Sequence, residues 1–138
     1  MRRLVAIGLA LVAIVVLPSA GWLAYHLSRI PSQDQLRALF DSSRSELDCL
    51  RDRVSPLARI ELSVSQGSAL IEQCRAAKIV ESVRVDQGKL FVIVASFRTP
   101  YGGGLDTGFV FSEGSTPESS GSRRLVPLKD GWYAFESK

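Results

Sequence analysis

The sharpest candidate for chemistry is the triplet Asp106-Thr107-Gly108. In an aspartic protease each subunit of a dimer supplies one such triplet. The paired aspartates share a proton, because adjacent carboxylates do not both ionise cheaply. That chemistry needs an apolar strand before the triplet, and Gly102-Gly103-Gly104-Leu105 stands there instead. A later apolar run ending in glycine, which would brace such a site, is also missing. The plainer reading is a hairpin entry, with Asp106 bonding to its own backbone and Gly108 easing the turn. A carboxylate-based hydrolase at Asp106 remains as the alternative. Gly102-Gly103-Gly104 does not read as a phosphate loop, since such a loop opens onto a helix N-terminus and a strand follows here.

Cys49 and Cys74 form an even pair. In an exported domain this points to a disulfide, worth about 3 kcal/mol in the chain-entropy model. Cys74 falls on the apolar face of its helix. Cys49 lies off the main stripe, in a small-residue strip with Ala38, Ser42 and Ser45. The bridge closes if the second helix packs on that strip; otherwise the two are free thiols, with Cys74 buried. His26 is the single histidine and sits at the end of an apolar segment, so Ser-His-Asp and Cys-His arrangements are not available to the domain. No His/Cys/carboxylate cluster has metal-ligand spacing, and no cofactor is expected. Asp48 and Asp52 read as a solvated helix face. Trp132 and Ala134 alternate with Tyr133 and Phe135. One set seals the core against the first helix; core or edge packing is the default for the other, with an exposed binding patch as the alternative.

The elements that carry these residues follow from periodicity. Ser32 and Gln35 fit a capping box, and Leu36, Leu39, Phe40, Leu47, Leu50 and Val54 continue as one helical stripe that Ser43 interrupts. Pro56 closes that helix. Arg59 to Ser65 alternates as a short strand, and Gly67 to Ala77 predicts a second helix. Ile79 to Val85 predicts a strand, Asp86-Gln87-Gly88 a turn, and Lys89 to Phe97 the strongest strand. Thr99 to Leu105 is a loop and Thr107 to Phe111 a strand. Arg123 to Leu128 and Trp132 to Phe135 form a hairpin around Lys129-Asp130-Gly131. The sum is an α+β domain, with two helices packed on an antiparallel sheet of four to five strands.

The 138 residues suffice for one domain. Residues 4–25 carry no charge. Leu4 to Leu27, 24 residues, would span roughly 36 Å as a helix, enough to cross a hydrocarbon core of ~30 Å. Pro18 would kink it, and Trp22 and Tyr25 would sit at the lipid–water boundary. With Arg2 and Arg3 kept on the cytoplasmic side, residues 1–29 form an anchor and residues 30–138 an exported domain. Cleavage after Pro18-Ser19-Ala20, giving a free periplasmic protein, is the alternative. Three of the 17 basic residues, Arg2, Arg3 and Arg29, belong to the anchor; the 14 that remain equal the 14 acidic residues. A formally neutral domain gives no sign of a basic face for nucleic acid. Arg123-Arg124 and Arg51 with Arg53 read as isolated surface pairs.

Together these features resemble a family of small, uncharacterised bacterial envelope proteins with a signal or lipoprotein anchor. The resemblance rests on Phe40, Arg44, Leu47 and Leu50 in the opening helix, and on Leu70-Ile71 leading through Val80. It continues in Gly108-Phe109-Val110-Phe111 and in the closing Gly131-Trp132-Tyr133. The lipoprotein cysteine is absent, so a helix would replace the lipid. The resemblance implies an envelope location and no activity. The expected protein is therefore a non-catalytic accessory or binding module of the inner membrane. Its partner would be another envelope protein, with capture of an incoming toxin as an immunity-like variant.

Overall fold

The structure is a computed structural model, described here for residues 19–55, 61–114, 117 and 123–137. The chain divides into two units, Met1–Ile30 and Pro31–Lys138. In the first unit residues 19–28 are helical (α1). Trp22 and Tyr25 are exposed there, and both rings lie against His26, with centroids 4.5 and 5.4 Å away. Among the described residues no helix is long and apolar enough to cross a membrane. The anchor predicted over Leu4 to Leu27 lies outside the described residues except for 19–27.

Serine caps start two helices of the second unit. The Ser32 hydroxyl accepts from the Gln35 N–H and the Gln35 side chain accepts from the Ser32 N–H, opening α2 (Gln33–Ser42). An identical box of Ser63 and Gln66 opens α4 (Val64–Gln73). Between them lies α3 (Arg44–Val54). The single opening helix expected from the sequence is thus two helices, parted at Ser43, where φ is −119° and ψ 24°. Ser43 occupies the buried stripe but brings a hydroxyl where apolar area is wanted, and the helical backbone breaks there. The stripe itself persists through Leu36, Phe40, Leu47, Leu50 and Val54, all buried.

The strand predicted over Arg59 to Ser65 is corrected. Residues 56–60 lie outside the described residues, 61–63 have no regular structure, and Val64 and Ser65 are the first turn of α4. Here the capping box outweighs a weak alternation. Helix α4 also ends early, at Gln73, because Arg75 adopts a left-handed φ of 57°.

Five strands follow: β1 (Ser82–Asp86), β2 (Lys89–Arg98), β3 (Gly104–Phe111), β4 (Arg123–Pro127) and β5 (Trp132–Ser137). Their order is β1-β2-β3-β5-β4, with every neighbouring pair antiparallel. Gln87 and Gly88 close the first hairpin with φ of 49° and 74°, the left-handed pair that a two-residue turn requires. One sheet face packs Leu90, Val92, Phe109, Trp132 and Ala134 against the helices. Phe40 of α2 meets Phe109 and Trp132 there, with ring centroids at 5.7 and 6.2 Å. The other face carries a second cluster of Phe91, Ile93, Val110 and Phe135, flanked by Leu125 and Tyr133.

The Cys49–Cys74 disulfide joins α3 to the C-terminal end of α4, with a Cα–Cα distance of 5.7 Å. Of the two open arrangements, the second helix packs on the strip that carries Cys49.

Candidate functional site

Asp106 is not at a hairpin entry. Strand β3 begins at Gly104, so the whole Asp106-Thr107-Gly108 triplet lies inside a central strand. The glycine there answers to β2, whose register shifts between Ile93 and Ala95. A Cβ on Gly108 would overlap the Val92 carbonyl oxygen, so the bulge and the glycine require each other.

The Asp106 side chain is 9% exposed and is gripped by Arg98 from the end of β2. Arg98 Nη2 donates to Oδ2 at 3.1 Å, and Nη1 makes an ion contact with Oδ1 at 2.8 Å without a hydrogen bond to it. The hydrogen bond and charge of Asp106 raise the Arg98 pKa above its ordinary value. The guanidinium reaches Asp106 across Gly104, where a Cβ would stand 2.5 Å from Nη1 and 2.8 Å from the Phe97 carbonyl oxygen. Thr99 holds the loop, donating to the Gly103 carbonyl through its hydroxyl and accepting from the Gly103 N–H. The glycine run therefore gives clearance to an ion pair. A protease dyad sets carboxylate against carboxylate, whereas the group facing Asp106 is a guanidinium.

Trp132, Tyr133 and Phe135 do not form an exposed patch. Trp132 is buried towards the helices and Phe135 is buried on the other sheet face. Tyr133, half-buried, shares the face of Phe135. The alternation holds, but Trp132 and Phe135 are buried on opposite faces, so neither set forms an exposed patch.

Sequence reasoning missed a different group on that second face. Arg84 on β1 is the cross-strand neighbour of Phe91, and its Cζ lies 5.2 Å from the ring centroid. Arg123 on β4 reaches the same ring, at 4.8 Å. Both Nε atoms are buried without a hydrogen-bond acceptor among the described residues. The signal available in the sequence was alternation, which puts Arg84, Phe91, Phe135 and Arg123 on one face.

Among the described residues no group of three or more His, Cys, Asp or Glu side chains is placed to hold a metal ion. Comparison of the chain with protein-family models, with curated proteins and with solved structures gives no match.

Proposed function

We propose that the chain is a membrane-tethered, non-catalytic accessory protein of the bacterial envelope, whose α+β domain works by binding another envelope protein. The observation that carries this reading is the Cys49–Cys74 disulfide in a small domain that follows an uncharged stretch at residues 4–25. Disulfides persist where the compartment is oxidising, and a basic leader before an apolar stretch is what directs a chain there. The Asp106–Arg98 pair supports a non-catalytic role, because its carboxylate is committed to a neighbouring cation.

The test has two parts. Intact mass of the protein from the membrane fraction, alkylated without reduction, is expected to be full-length with no alkyl group. A mass beginning near Gly21 would replace the tether with a free periplasmic protein, and two alkyl groups would remove the argument from compartment. Crosslinking in intact cells is then expected to give one defined protein adduct. Its absence, together with loss of phenotype in a folded Asp106→Asn variant, would favour the hydrolase reading.

A further inference from the structure

Two guanidiniums of like charge converge on the Phe91 ring, and they come from opposite edges of the sheet. Strands β4 and β2 stand three steps apart in the order, about 14 Å on a flat sheet. The register adds to this. Arg123 pairs through Ser137 with Asp106, four residues along β3 from the Val110 that faces Phe91, about 13 Å more. Extended side chains do not bridge that diagonal, so the sheet coils and its second face is concave. The coil gathers Arg84 and Arg123 over one ring.

An aromatic face attracts a cation, but it does not offset the repulsion between two, and it accepts no in-plane hydrogen bond from Nε. Among the described residues neither guanidinium is in an ion pair, although Asp86 lies two residues beyond Arg84 on the same face of β1. Asp106 holds Arg98, and Glu81 Oε2 accepts from the Ser96 N–H at 3.0 Å. A groove beside β1, lined by Ser68, Glu81, Ser82, Arg84 and Arg98 among others, reaches Arg84; Arg123 is not part of its lining.

We propose that Arg84 and Arg123 form a binding site for one oxyanion group, a carboxylate or a phosphate. Such a group supplies acceptors to both orphaned Nε–H donors and compensates both charges, which matches the planar donor fork of arginine. The proposal deepens the binding reading and rests on it for the molecule that brings the anion; the site is tested without that molecule.

The experiment uses the full chain in non-ionic detergent, unfolded thermally at constant ionic strength as chloride is replaced by inorganic phosphate or by acetate. Constant ionic strength holds screening fixed. The expected result is a saturable rise in Tm of roughly 5 °C with one of the two anions. The anion that saturates at lower concentration identifies the group as phosphate or carboxylate. Arg84→Gln and Arg123→Gln should each abolish the rise, whereas Arg37→Gln, at an exposed position on α2, should keep it. In the wild-type chain, NMR signals of two arginine Nε–H groups should move and saturate over the same range, an arm that needs no variant to fold. A rise that grows linearly and is equal in all variants would be general salting-out and would overturn the proposal. So would arginine signals that stay fixed. Anion binding without any crosslinked adduct in cells would instead sink the protein-binding reading and leave the site standing.

Discussion

Removing the Cys49–Cys74 bridge should cost the domain about 3.5 kcal/mol. The two cysteines are 25 residues apart. For a loop of that length the chain-entropy relation gives about −12 cal/mol/K, or roughly 3.5 kcal/mol at 25 °C. A domain of this size has an unfolding entropy of roughly 0.23 kcal/mol/K at its midpoint, so the loss corresponds to a drop of about 15 °C in Tm. Cys74 is buried and Cys49 half-buried, so Cys74→Ala alone would add a small cavity cost to the lost cross-link. The clean perturbation is reduction of the wild-type chain, compared with the Cys49→Ala, Cys74→Ala double variant. Equilibrium urea unfolding should show both losing about 3.5 kcal/mol. The intact form should also have the smaller m-value, because its cross-linked unfolded state exposes less surface. A loss under about 1 kcal/mol would refute the reasoning. It would mean that the unfolded chain already keeps α3 and α4 together.

Gly108→Ala should destabilise by more than about 3 kcal/mol, because the new methyl meets the Val92 carbonyl backbone rather than a side chain that can turn away; calorimetry would show it. Asp106→Asn should cost only about 1 kcal/mol in urea unfolding, since Arg98 is 62% exposed and returns to water once the pair is broken. Phe40→Ala, which removes a buried ring packed on Phe109 and Trp132, should cost about 3–5 kcal/mol by the same measurement. The Ser45 hydroxyl, with the Glu46 backbone N–H second, holds the Glu46 carboxyl below its ordinary pKa. Its contribution is therefore present above the unfolded pKa and lost as pH falls through the native one. In an NMR pH titration Ser45→Ala should move that midpoint upward.

Local chemistry wrote the parts that could be read directly. The Ser32–Gln35 box, the stripe from Leu36 to Val54 and the last hairpin are set by residues within a few positions of one another, and each was found. The same Ser-x-x-Gln signal stands at Ser63–Gln66, inside the stretch whose alternation predicts a strand over Arg59 to Ser65. Ser43 interrupts the stripe, but nothing local to it marks a helix end, since the apolar spacing resumes at Leu47. The role of Asp106-Thr107-Gly108 could not be read locally. It depends on where β2 bulges and on Arg98 crossing Gly104, both products of strand register. Arg84 and Arg123 were hidden for a similar reason: alternation gives the face, but only coiling of the whole sheet brings its two edges to one ring.

Formal neutrality of the domain turns out to average two different surfaces. On the helix side, charges compensate one another. Arg44 bonds Asp48 at 3.0 Å and Asp130 at 2.6 Å, tying α3 to the β4–β5 turn, and Arg51 bonds Asp48 and Asp52. Arg44 and Arg51 also lie over the Phe40 and Phe111 rings, at 4.8 and 5.6 Å. Arg51 and Arg123, both read from the sequence as solvated surface, thus have opposite fates. Arg51 is neutralised within a network, whereas Arg123 is turned inward to the ring that Arg84 also contacts, and neither makes an ion pair among the described residues. A net charge near zero therefore does not describe what a partner would encounter. A polyanion is held by a row of cations that release counter-ions together. Two guanidiniums at one ring are suited instead to a single acidic group, and their specificity would lie in geometry rather than in long-range field.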